Sequence, residues 1–195
     1  MVNEQTVQEE LTVAKKKSAK PMLWISMISM VMFFAGLTSA YVISMKRDDW
    51  VSFDLPSAFY TSTILIIISS ITLFLSQRFL KQSKRQLSLI FVVATLLLGI
   101  GFVWQQYVGF NQLKSVGLFF TGPESTVSTS FIIGITFMHV LHLLAGMIVL
   151  LVVIYNHFKY KYKSEDMLGF ELGAIFWHFV DILWIYLFFF FYFIK

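Results

Sequence analysis

The sequence predicts an all-α integral membrane protein, a bundle of five transmembrane helices with a cytoplasmic N-terminus and its C-terminus on the outer, periplasmic side. Three observations carry this. Of 195 residues, 57% are hydrophobic and only 13% charged, with a mean hydropathy of +0.75; soluble domains run near 25% charged and need that polar surface. The charges sit in short clusters between long uncharged runs, the pattern a bilayer imposes. The basic residues also divide unevenly between alternate connections. With the N-terminus inside, Lys15, Lys16, Lys17, Lys20, Arg78, Lys81, Lys84, Arg85, Lys159, Lys161 and Lys163 are cytoplasmic, against Lys46, Arg47, Lys114 and Lys195 outside, 11 to 4 of the 15. These flanking positions explain the net charge of +4 as membrane orientation, and no nucleic-acid partner is expected.

The elements follow in order. Residues 1–20 read as a polar, solvated tail (Glu4, Glu9, Glu10, Lys15, Lys16, Lys17), without the short apolar region of a cleavable signal peptide. The transmembrane domain occupies 21–195, with spans at about 22–45, 58–77, 87–110, 128–156 and 172–194, each long enough for about 30 Å of hydrocarbon. Helix is the required conformation, because a lone span must satisfy its own backbone hydrogen bonds. Pro21 suits the first turn of span one, where its missing N–H costs nothing. Ala35, Gly36 and Ala40, Ser69 and Ser70, Gly99 and Gly101, and Ala145 and Gly146 allow close helix approach. Trp24, Trp50, Trp104 and the Phe–Tyr end of span five suit aromatic belts. Met22, Met27, Met30 and Met32 are soft ligands in principle, but with no Cys or His in that span they read as flexible apolar filler.

Cysteine is absent, so thiolate metal sites and iron–sulfur clusters within this chain are excluded. A few ionisable groups lie inside the spans, where each needs a partner or a task. Span five holds Glu171 at its inner mouth, then His178 and Asp181 along one stripe, with Asp181 about 15 Å deeper than Glu171. Span four supplies His139 and His142, three residues apart. Four readings are open for these five residues: a buried hydrogen-bonded cluster joining spans four and five, a proton path, a metal site, or bis-histidine haem ligation. An unpaired carboxylate at mid-membrane is expensive, so Asp181 is expected to meet an imidazole or an indole. Arg78, Lys81, Lys84 and Arg85 stand where inner-leaflet headgroup phosphates would be attracted.

The run GFELGAIFWHFVDILWIYLFFFFYF, residues 169–193, resembles the last helix of subunit III of the haem–copper terminal oxidases. The family's GFE, WHFVD and Trp pattern is met by Gly169-Phe170-Glu171, Trp177 to Asp181 and Trp184. FMHVLHLLAG resembles the preceding helix, with His139 and His142 followed by Gly146. MFFAGLTSAY and LPSAFYTSTILIIISSIT resemble earlier helices, so the likeness covers most of the chain from Met22 onward. It implies the short five-helix bacterial form, corresponding to the last five of seven helices, in the bacterial cell inner membrane. Two family glutamates are missing. Met30, after Ser29, stands where one is expected, and Val108, beyond Gln105, where the other is.

The resemblance further implies a subunit with no redox centre, and thus no catalytic residue, of its own. Haem and copper would lie in partner subunits of a proton-pumping oxidase, most naturally cytochrome c oxidase. Oxidase subunits I and II and phospholipid are the implied partners, with further subunits if a respiratory supercomplex forms. The implied roles are to cover a flank of subunit I, to bind lipid in a cleft between spans one and two and the other three, and to support proton uptake. A subunit-III-like protein of a quinol oxidase or nitric oxide reductase is the near alternative. A small membrane transporter or haem-binding electron carrier is the distant one.

Overall fold

The computed structural model describes residues 4–120, 122, 125–160 and 167–194. Five helices run in chain order: α1 (Glu4–Ser44), α2 (Ser57–Lys81), α3 (Arg85–Ser115), α4 (Val127–Phe158) and α5 (Leu168–Phe193). All five contain a stretch long and apolar enough to cross a membrane, and no strand occurs among the described residues. The protein is therefore an all-helical, multi-pass membrane protein. Lys161, Lys163 and Lys195, which contribute to the charge bias, lie outside the described residues.

Each helix outruns its apolar segment, and α1 does so most. Its 41 residues reach about 60 Å, twice the hydrocarbon thickness. The polar stretch before Met22 is thus continuous with the first span. Its Glu, Gln, Ala, Leu and Lys residues are strong helix formers, so propensity extends the helix where hydrophobicity alone marks an end. Pro21 accordingly lies inside the helix and not at its first turn. There it forfeits the bond an N–H would make to the Lys17 carbonyl, and its ring crowds that carbonyl.

Between α2 and α3 the chain turns in three residues. Ser83 takes a left-handed φ of 59°, and the N–H groups of Ser83 and Lys84 close on the carbonyls of Leu80 and Phe79 at 3.0 and 2.9 Å. That tight reversal lays α3 antiparallel along α2, the most extensive helix pairing among the described residues. At the start of α4, Thr126 caps the helix by accepting from the Thr129 N–H.

The core lies where α5 meets α2, α3 and α4, and two indoles organise it. Trp177 is fully buried between two glycines of different helices. A Cβ added at Gly99 of α3 would come within 2.7 Å of Trp177 Cη2, and one at Gly146 of α4 within 3.2 Å of Cε3. Trp184 packs against Phe59 and Phe102 at centroid distances of 5.6 and 5.0 Å. Gly99 and Gly146 thus serve the close approach the sequence suggests, whereas Gly36 faces open space. α1 packs along α4 and α5, and among the described residues its backbone approaches neither α2 nor α3. The expected division into spans one and two against the other three is absent, because α2 is bound along its length to α3.

Candidate functional site

Much of the polar pairing between helices gathers on one seam, and α2 supplies it. Ser62, Ser69 and Ser76 recur every seven residues, and Thr63 and Ser70 lie one position on, so they form a single hydroxyl-bearing stripe. Toward α3, Ser62 accepts from Gln106 Nε2 at 3.0 Å, Thr72 shares a 2.8 Å bond with Thr95, and Ser76 donates to the Ser88 carbonyl at 2.7 Å. Toward α5, the Trp177 indole donates to Ser69 and the Trp184 indole to Thr63, both at 3.0 Å. Ser70 meets His178 Nδ1 at 2.6 Å.

The five ionisable residues expected as one cluster are distributed differently. Glu171 pairs with Lys20 of α1 at 2.8 Å, half-exposed at the basic end of the bundle. His178 turns to α2. Asp181 is 1% exposed, and neither carboxylate oxygen has a hydrogen-bond partner, although Ser70 lies alongside it. The expected imidazole or indole partner for Asp181 is not found, because Ser70, Ser69 and Thr63 already engage His178, Trp177 and Trp184. The reason is geometric. Ten residues of helix separate Glu171 from Asp181 by about 80° around the axis, and α5 has a different neighbour at each side of that arc.

The α4 pair also separates. His139 is fully buried in a box of rings, with centroids 6.4 Å from Phe34, 5.9 Å from Phe102 and 5.2 Å from Trp184, and neither of its nitrogens has a partner. His142 donates Nδ1–H to the Met138 carbonyl of its own helix at 2.7 Å. Among the described residues, no group of three His, Cys, Asp or Glu is arranged to hold a metal ion. Met30, where the family glutamate is missing, is half-buried against the core, and the neighbouring Ser29 hydroxyl folds back onto the Ile25 carbonyl.

Arg78, Lys81 and Lys84 are exposed around the α2–α3 turn. Arg85 is used differently. Its guanidinium donates to the His157 carbonyl and lies 4.0 Å above the Tyr160 ring, and His157 Nε2–H donates to the Arg85 carbonyl at 3.1 Å. This reciprocal pair of hydrogen bonds bridges α3 to α4. Sequence reasoning missed Gln106, His157 and the hydroxyls of α2 as a set. The seven-residue recurrence of Ser62, Ser69 and Ser76 was the signal that marks the seam.

Five apolar helices joined by internal hydroxyl, amide and indole bonds, with charge confined to their ends apart from Asp181, define a polytopic helical membrane protein. The family model for cytochrome c oxidase subunit III matches the chain over residues 1–195, and the chain belongs to that family. Cytochrome c oxidase subunit 3 of Pyricularia grisea is 33% identical over 135 residues, which cover 69% of this chain and 47% of that protein. The Podospora anserina protein of the same name is 26% identical over 201 residues, 96% of this chain and 71% of its own length. That of Pelomedusa subrufa is 29% identical over 126 residues, 65% and 46%. The chain spans about half the length of most of these curated relatives.

Proposed function

We propose that this chain acts as the subunit III of a haem–copper terminal oxidase, a part of an oxygen-reducing, proton-moving complex without a redox centre of its own. The family match over the whole chain is the observation that carries this reading. The chemistry of the bundle agrees with it, because α2's hydroxyls and both buried indoles are spent on holding helices together. Oxidase subunits I and II are the partners, and they hold the haem and copper. The basic-residue count supports an orientation with Met1 inside and Lys195 outside, in a bacterial plasma membrane.

Lipid binding belongs to the same proposal. A largely apolar groove of about 330 Å³ runs between α1 and α5, lined by Val31, Phe34, Ala35, Phe179, Ile182 and Tyr186 among others. It suits an acyl chain, and Arg78, Lys81 and Lys84 supply cations for headgroups at the basic end.

Asp181→Leu in the assembled complex tests the reading. The haem spectrum is expected to stay intact, since that centre lies in another subunit. Retention of this chain through purification, or turnover sustained over time, is expected to fall. Normal retention together with unchanged sustained turnover would remove Asp181 from the functional assignment.

A further inference from the structure

Asp181 is the one carboxyl side chain buried inside the bundle among the described residues, at 1% exposure. No cationic side chain among them acts on it. The Lys20–Glu171 ion pair sits ten residues earlier on α5, about 15 Å away along the helix. The group that does reach the Asp181 carboxyl is the Ser70 hydroxyl of α2.

Ser70 differs from most hydroxyls of its helix. Thr61, Ser62, Thr63 and Thr72 each donate to a carbonyl three or four residues back. The Ser70 hydroxyl is instead directed across the interface, 2.6 Å from Nδ1 of His178. His178 stands three residues before Asp181, so the two are neighbours on one face of α5. Ser70 therefore touches both.

The hydrogens follow from what each atom can do. The Ser70 hydroxyl is aligned on His178, and neither Asp181 oxygen receives a donor. An ionised carboxylate without cation or donor is costly in a membrane interior, and a bound proton removes its charge. A protonated carboxyl group has an O–H to give, and a hydroxyl oxygen has lone pairs to accept it. The terminal torsion of an aspartate is broad, so a turn of the carboxyl group brings its O–H onto Ser70. Ser70 then gives its own hydrogen to Nδ1, the acceptor of a neutral ring whose hydrogen is on Nε2. The opposite direction, from His178 through Ser70 to Asp181, requires an ionised carboxylate in the same interior.

We propose that Asp181 is a neutral hydrogen-bond donor, at the head of a chain in which its carboxyl group donates to Ser70 and Ser70 donates to Nδ1 of His178. Asp181 thus reaches an imidazole through a hydroxyl of another helix. Ser70 is the positioning residue, since it ties α2 to two side chains of α5 and fixes which nitrogen of His178 carries hydrogen. The inference goes beyond the proposed function and is tested apart from it, because it concerns hydrogen positions within this chain.

Infrared spectroscopy of the full chain reads the proton directly. With aspartate isotope-labelled at its side-chain carboxyl, and in a detergent free of ester carbonyls, a protonated-carboxyl C=O stretch is expected at neutral pH and is expected to be lost in Asp181→Asn. Ser70→Ala is expected to move that band to higher wavenumber, and Ser70→Thr, which keeps the hydroxyl, to return it toward the wild-type position. Nitrogen NMR of the unmutated chain is expected to show His178 with a bare, hydrogen-bonded Nδ1 and a protonated Nε2. A carboxylate stretch for Asp181 at neutral pH, a C=O band that ignores Ser70→Ala, or a protonated Nδ1 on His178 overturns the proposal.

Discussion

α1 and α2 carry the same kinds of residue and use them in opposite ways. Both are apolar spans with several Ser and Thr hydroxyls. In α1, Ser26, Ser29 and Thr38 fold back onto the carbonyls of Met22, Ile25 and Phe34, and Thr38 alone of these also reaches another helix, meeting Tyr186 at 3.3 Å. In α2, Ser62 and Thr63 make the same internal bonds and also accept from Gln106 and Trp184 across the interface. Of the most apolar eighteen residues, 39% are buried in α2 and 17% in α1. Several hydroxyls on these helices satisfy themselves locally on a carbonyl three or four residues back. Whether one also joins helices depends on what the fold places opposite it.

That contrast can be broken at its strongest point by removing a ring. Trp177→Ala takes out a fully buried indole, its bond to Ser69 and the wedge between Gly99 and Gly146, and is expected to cost about 3–5 kcal/mol. Trp24→Ala, on the exposed face of α1, is expected to stay within about 0.5 kcal/mol. Reversible unfolding in mixed micelles measures both, and equal losses would erase the distinction between the two helices.

Adding a methyl group sharpens the same comparison with less damage. Gly109→Ala places a Cβ 2.6 Å from Phe59 Cε1, and Gly99→Ala one 2.7 Å from Trp177. Each is expected to cost about 1–3 kcal/mol through overpacking. Gly36→Ala meets nothing within 4 Å and is expected to be neutral or stabilising by up to about 1 kcal/mol, through reduced freedom of the unfolded chain. A loss at Gly36 matching that at Gly99 would show that α1 has a tight neighbour within this chain.

The smallest effect concerns the tether of α1. The Lys20–Glu171 pair joins its basic end to α5 at 2.8 Å, but the two side chains are 49% and 34% exposed. Lys20→Ala is expected to cost less than about 1 kcal/mol, and less again at high salt. A larger, salt-independent loss would mean that α1 is held by this ion pair more than by Phe34, Tyr41 and their ring contacts.

Much of this architecture is legible without coordinates. The five spans follow from hydrophobic length, since a bilayer sets how many apolar residues a helix needs. Observed helix ends exceed the spans because polar helix formers such as Glu10, Ala14 and Lys17 continue a helix that hydrophobicity alone would stop. The Trp177 to Asp181 run and the His139, His142 pair mark the correct helices and the correct family. What those residues touch was not legible, and the misplaced partner of Asp181 shows why.

Sequence by itself determined that this chain lies in a membrane, how many times it crosses, and which residues break the apolar runs. Those properties depend on transferring each segment from water to lipid, and a segment carries that free energy within its own composition. Tertiary structure alone decided that α2 zips to α3 and α5, that Glu171 faces Lys20, and that His139 sits among the rings of Phe34, Phe102 and Trp184. Such contacts depend on rotation about each helix axis. A shift of a few tens of degrees exchanges one neighbour for another while leaving the composition of every span unchanged.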